Sequence, residues 1–166
     1  MPSPAILTPE LVRFVTSHLS IHVAASSGGH ATLVRGLGCR ADPATAGGLR
    51  LLVARPQAEP VLHAIAADGR IAVVFSEPES HLTVQLKAHA AYVTQASDDD
   101  TALLAPYTDA MVARLASIGT PEPFVRALLA CPADELIVIC ATPHEVFGQT
   151  PGPQAGQRLG AGQVLA

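Results

Sequence analysis

The sequence has no tryptophan, a single lysine (Lys87) and only 4% aromatic residues. Stacking surfaces are therefore scarce, and any cationic site must be built from arginine. The formal charge is -4 and the pI about 5.9, which argues against a basic surface spread over the protein and leaves room for a local one. No apolar run approaches the roughly 20 residues that span a bilayer. The opening residues, Met1 through Glu10, lack the basic-then-apolar order of a secretory signal. A cytoplasmic protein with no nucleic-acid or membrane partner is expected. The three cysteines (Cys39, Cys131, Cys140) show no CxxC or CxxxH spacing and read as reduced, hydrophobe-like thiols. Neither GxGxxG nor GxxxxGK[ST] occurs, so a Rossmann or P-loop nucleotide site has no support. Ser26-Ser27-Gly28-Gly29-His30 lacks the strand-to-helix setting of a hydrolase nucleophile and reads as a turn.

What is present suits one domain. In 166 residues, 49% are hydrophobic and 14% charged, enough for a real core. The 29 alanines and nine arginines read as codon bias in a GC-rich genome. Thr8 and Pro9 open a first helix as N-cap and first helical residue. Residues 20–26 form a strand ending at a Gly28-Gly29 turn, and residues 31–41 resume as its hairpin partner. Residues 49–54 are a third strand. A short helix follows over 59–65, with Pro60 near its start and Asp68-Gly69 closing it. Residues 70–75 are a fourth strand.

From His81 to His89, apolar Leu82, Val84, Leu86 and Ala88 alternate with polar residues, which predicts a strand with one buried face. Helical spacing runs from Ser97 to Ser117, a further helix from 124 to 130, and a β-branched strand from 135 to 141. The tail from 148, rich in Gly, Pro and Gln, is expected to lie over the body or fray. The order is mostly hairpins with inserted helices, so the expected fold class is α+β: an antiparallel barrel with peripheral helices. One domain over 1–166 is expected, with its core at about 20–93 plus a last strand within 135–148. The helical insertion spans about 98–130.

Within 49–93, Leu-Leu-Val-Ala, Pro-Val-Leu-His-Ala-Ile, Arg-Ile-Ala-Val-Val-Phe and Val-Gln-Leu-Lys-Ala-His-Ala-Ala-Tyr-Val follow one another at a spacing that resembles the pyridoxamine 5'-phosphate oxidase-like FMN-binding split-barrel family. With the 21–42 hairpin, the resemblance covers about 75 residues, and Gln149-Thr150-Pro151-Gly152-Pro153 is also similar to flavin-barrel relatives. It implies an antiparallel split barrel that forms a homodimer with FMN at the subunit interface. Relatives bind haem or a deazaflavin instead.

The resemblance maps the family's basic pair onto Arg35 and Arg40 of Arg35-Gly36-Leu37-Gly38-Cys39-Arg40, the first contacting FMN and the second associated with substrate. Arg35, Gly36, Leu37 and Arg40 are thus candidate cofactor residues. Glycines at 36 and 38 would let a planar ring approach the strand, although residues five apart face opposite ways unless a bulge intervenes. They equally fit a bend in a barrel strand beside solvated arginines. The family's hydroxyl at the end of strand three and cation at the next helix start are replaced by Ala54 and Pro60, leaving Arg55 as the nearby cation. Such a loss costs about 2–4 kcal/mol of phosphate binding, one to three decades of affinity. Gln85 and Lys87 are the remaining candidates, with Thr83 the other position for the family's flavin-contacting glutamine. An ordinary solvent-facing strand is the plain alternative.

His81 and His89, eight residues apart, lie about 26 Å apart on a strand and cannot share a metal ion. His63 reads as a packed helix residue, while His22 and His144 are free candidates for a haem axial ligand. Asp98-Asp99-Asp100 reads as a helix N-terminus capped by Ser97 or Asp98. The expected function is an FMN-binding redox protein of unassigned substrate. A cofactor-free binding module and a haem-binding relative are the alternatives. No metal site and no catalytic acid or base is assigned.

Overall fold

Strand boundaries follow the turn residues closely. The structure, a computed structural model, describes residues 6–160 and residue 163. Thr8 caps α1 (Pro9–Val15), its hydroxyl accepting from the Leu11 N–H. β1 (Ser20–Ser27) and β2 (His30–Arg35) form a hairpin about Gly28 and Gly29, both at positive φ. The expected single strand over 31–41 is two strands. After Arg35 the chain crosses to a second sheet and continues as β3 (Gly38–Ala41). Gly36 makes the crossing feasible: a Cβ there would lie 2.6 Å from Ile21 Cγ2. The Gly36 N–H donates to Ile21 O, and the next N–H, of Leu37, donates to Leu52 O.

β4 (Leu49–Ala54) leads directly into α2 (Arg55–Asp68). This helix begins four residues earlier than the sequence predicts. Pro56, not Pro60, occupies the first turn, where a missing N–H costs nothing. Pro60 lies inside the helix and forfeits one backbone bond. Gly69 ends α2 in the left-handed conformation, its N–H donating to Ile65 O. β5 (Ile71–Ser76), β6 (Thr83–Ala88) and a short β7 (Tyr92–Gln95) follow; β7 has no counterpart in the sequence reading. The expected helix after Ser97 is two, α3 (Asp98–Ala102) and α4 (Leu104–Ala116). Pro106 has no N–H to bond back across the junction. α5 (Glu122–Leu129) and a short 3-10 turn precede β8 (Leu136–Ala141). β9 (Glu145–Gly148) and β10 (Gln157–Arg158) pair with each other, so the tail joins the fold rather than fraying. Of the tail expected over 148–166, residues 161, 162 and 164–166 lie outside the described residues.

All pairings are antiparallel, in a six-stranded sheet of order β10-β9-β6-β5-β1-β2 and a four-stranded sheet of order β3-β4-β8-β7. This is the split-barrel topology with peripheral helices. Ile21, Val23, Phe75, Val84 and Leu86 from the first sheet and Leu51, Ile137 and Ile139 from the second are buried in one core. α2 packs against β1 and β2. Tyr107 of α4 is buried, its hydroxyl donating to Leu19 O at 2.7 Å where β1 begins, and burial pushes the phenol well above its usual range. No described helix is long and apolar enough to cross a membrane, and all three cysteines are free.

Candidate functional site

Parity along the strands divides the six-stranded sheet into two faces. Val34, Ile21, Val23, Val73, Phe75, Val84, Leu86 and Val146 point into the core. The alternate residues form the outer face, and the register aligns them in rows across the sheet. One row reads Arg35, His22, Val74, Gln85, Phe147, Arg158; the next reads Leu33, Ala24, Ala72, Lys87, Glu145. Ser20, Ser76 and Thr83 form a third. The middle of this face is a floor of small side chains. At its edge Leu33 is 63% exposed, unusual for a leucine in a sheet.

Three of the sequence candidates therefore share a surface. Arg35 and Gln85 stand in one row three strands apart, about 14 Å at normal strand spacing, and Lys87 lies in the adjacent row. Gln85 Oε1 accepts from Gln149 Nε2 at 3.2 Å, which leaves the Gln85 amide N–H groups as its free donors. Thr83, the other position considered for that glutamine, exchanges a 2.8 Å hydrogen bond with Ser76, and its N–H donates to Thr150 Oγ1. The Gln149-Thr150 tail thus braces this edge of the face. Lys87 Nζ sits 4.7 Å above the Phe147 ring. His22 stands beside Arg35, and burial together with the Arg35 charge lowers its pKa, which favours the uncharged imidazole.

The other candidates lie elsewhere. Gly36 and Leu37 are buried at the crossing between sheets. Gly36 faces Ile21, and a Cβ on Gly38 (φ 151°) would meet Leu103 Cδ2 at 3.0 Å. These glycines serve interior packing and do not open a slot for a ring. Arg40 belongs to the four-stranded sheet, and its Nε donates to Asp100 Oδ1 at 2.7 Å. Its row partner Arg50 donates to both Asp100 oxygens, through Nε at 3.0 Å and a terminal nitrogen at 2.5 Å. Asp100 is fully buried and completes a capping box with Ser97. Burial alone would raise its pKa. Arg50, the Ser97 N–H and Arg40 outweigh that and hold the carboxyl well below the usual range. Arg35 and Arg40 are therefore not a pair on one rim. The cause is a switch of sheets, not a bulge. Arg55 is the first residue of α2, so a cation stands at the helix start, whereas Pro60, expected at that start, lies inside the helix. Ala54, at the helix N-cap, offers no hydroxyl.

Ion pairing sorts the cations. Of ten Lys and Arg residues, six (Arg13, Arg40, Arg50, Arg114, Arg126, Arg158) pair with carboxylates. Among the described residues Arg35, Arg55, Arg70 and Lys87 have no such partner. Arg70, which precedes β5 with outer-face parity, is the cation the sequence reading missed; nothing in its local sequence sets it apart. Among the described residues no cluster of three His, Cys, Asp or Glu could hold a metal ion.

No family model matches the chain, and no curated protein matches it in sequence. Solved structures do match in fold. HupZ of Group A Streptococcus is 12% identical at a TM-score of 0.52, covering 92% of this chain and 99% of that one. An F420 reductase is 15% identical at 0.51, with 84% and 98% covered. A candidate pyridoxamine 5'-phosphate oxidase from Lactobacillus delbrueckii is 20% identical at 0.50, with 89% and 98% covered. At these identities the likeness is one of fold. The two sheets and peripheral helices have the topology of split barrels related to pyridoxamine 5'-phosphate oxidase.

Proposed function

We propose that this split barrel is a redox protein that holds FMN on the outer face of its six-stranded sheet, where a second copy of the chain covers the cofactor. The observation that carries this reading is the shared row of Arg35 and Gln85, with Lys87 beside it, in a fold shared with an F420 reductase and a candidate pyridoxamine 5'-phosphate oxidase. A flavin phosphate needs cationic donors not already engaged, and Arg35 and Arg55 meet that demand. A planar ring needs a flat floor with a few amide donors, and Ala24, Ala72 and Val74 with the Gln85 amide suit it. The residues present fit the group, with Arg40 and the missing hydroxyl at Ala54 as losses from the donor set.

When bound, FMN supplies hydride or electron transfer. In this reading Arg35 and Arg55 neutralise the phosphate, and Gln85, fixed by Gln149, orients the ring through its N–H groups. The exposed Leu33 and the small residues beside it favour a covering partner, because burying such a face is what stabilises a dimer. A haem-binding reading draws on one observation: His22 is a partly buried imidazole on this face, one strand in from the β2 edge.

The test is the absorbance of freshly purified protein, followed by fluorescence titration with FMN. A flavin band at about 450 nm, or saturable uptake of added FMN, supports the reading. A Soret band supports haem. Colourless protein that leaves FMN fluorescence unchanged overturns both and favours a cofactor-free module.

A further inference from the structure

β9 pairs with β6 as far as Gly148, opposite Val84, and the residue after it is still held. The Gln149 N–H donates to Thr83 O at 2.8 Å. The Thr83 N–H in turn donates to Thr150 Oγ1 at 3.1 Å. Pro151 follows with its φ fixed by the ring. The Gln149 backbone is therefore clamped at its own N–H and again at the next residue.

Parity puts the Gln149 side chain on the outer face, two residues beyond Phe147, the register partner of Gln85. Residues so placed are diagonal neighbours across a strand pair, within reach of long side chains. The two amides meet there, Gln149 Nε2 donating to Gln85 Oε1 at 3.2 Å, and both residues are partly buried. A bond between two amides has a direction. Gln149 spends a donor, so Gln85 spends its acceptor and keeps both N–H donors free. A group at position 149 that can only accept would reverse Gln85.

Two-electron reduction of a flavin with uptake of one proton adds a negative charge to the ring, which hydrogen-bond donors stabilise and acceptors oppose. We infer, resting on the flavin reading above, that Gln149 is a positioning residue that sets the redox preference of the site. By holding Gln85 as a donor, Gln149 makes the face bind reduced FMN more tightly relative to oxidised FMN. Gln149 acts through the Gln85 amide, not on the ring.

The test uses full-length protein loaded with FMN, its midpoint potential read by anaerobic equilibration with a reference dye and dithionite as the electron source. Gln149→Glu keeps the side-chain length and replaces the donor by a carboxylate that only accepts. It should change the ratio of affinities for reduced and oxidised FMN by about tenfold against the reduced form, which lowers the two-electron midpoint by about 30 mV. Gln149→Met removes the bond without reversing Gln85 and should change the same ratio by about threefold. In a Gln85→Met background, Gln149→Glu should lose most of its effect. A full shift in that background means the charge acts on the ring directly and overturns the assignment, as does an unchanged midpoint in Gln149→Glu. If Gln149→Glu does not fold or hold FMN, Gln149→Met decides, an unchanged midpoint overturning the assignment. Wild type that takes up no FMN overturns the flavin reading and this role of Gln149 with it, whereas loaded protein with an unchanged midpoint overturns the role of Gln149 alone.

Discussion

Arg35 and Arg40 are five residues apart in one glycine-containing stretch, and the fold gives them opposite fates, so a crossed pair of substitutions separates their roles. Arg35 has no carboxylate partner among the described residues and faces the row that contains Gln85. Removing a charge-assisted hydrogen bond to a phosphate costs about 1.5–3 kcal/mol, so Arg35→Ala should weaken FMN binding by roughly tenfold to a hundredfold. Its melting temperature should barely move. Arg40 is 23% exposed and bonded to a fully buried carboxylate. Arg50 remains to neutralise Asp100 when Arg40 is lost, so the cost falls below the 3–5 kcal/mol of a wholly broken buried pair, at about 1–3 kcal/mol. Arg40→Ala should therefore lower stability and leave FMN affinity within about twofold of wild type. Fluorescence titration and urea denaturation on both variants measure the two quantities. If Arg40→Ala loses FMN while keeping its stability, the separation by sheet is wrong.

Three other substitutions probe the same framework. Asp100→Asn keeps shape and capping oxygen but removes the charge between two largely buried guanidiniums, so it should cost about 3–5 kcal/mol at pH 7. Because the folded carboxyl is depressed below its unfolded value of about 3.9, that stability is complete above about pH 4 and fades as pH falls through the folded pKa. The gap between wild type and variant in denaturant titrations should narrow in acid, and a constant gap would refute the assignment. Gly36→Ala places a methyl 2.6 Å from Ile21 Cγ2 and should destabilise by about 1–3 kcal/mol; an unchanged urea midpoint would contradict the packing. Leu33→Asp, at a 63% exposed position, should convert the proposed dimer to a monomer in analytical ultracentrifugation without unfolding it. A dimer that persists would move the interface elsewhere.

Where the sequence was legible, the signal was local. Residues 49–54 form a strand with the expected boundaries because a continuous apolar run is bracketed by a glycine-rich loop and a proline-led helix. The alternation about Val84 and Leu86 placed Gln85 and Lys87 together on a polar face, and the fold keeps them there. The errors came from choices that local chemistry leaves open. Pro56 and Pro60 both suit a helix start, and only the direct exit from β4 decides between them. Residues 31–41 read as one strand because Gly36-Leu37-Gly38 has no feature separating a bend from a change of sheet; Ile21, which leaves no room for a side chain at Gly36, is distant in sequence. β7 has four residues, too few for a period to register.

Asp100 shows the limit most clearly. Its local sequence gives a capped helix start, and the structure has that cap. The same carboxylate also binds two arginines 50 and 60 residues away, which no local pattern encodes. That long-range pairing is what makes the candidate site readable. Exposed ion pairs contribute little to stability, so an unpaired surface arginine costs the fold almost nothing, while an arginine already bound to a carboxylate must give up that partner to hold an anion. In a chain of net charge -4, cations that escape pairing are the ones free to bind anions. Among the described residues, Arg35, Arg70 and Lys87 escape it on the same sheet face, and Arg55 escapes it at a helix start. Arginine count and spacing along the sequence could not separate these residues from Arg40 and Arg50; the positions of the carboxylates do.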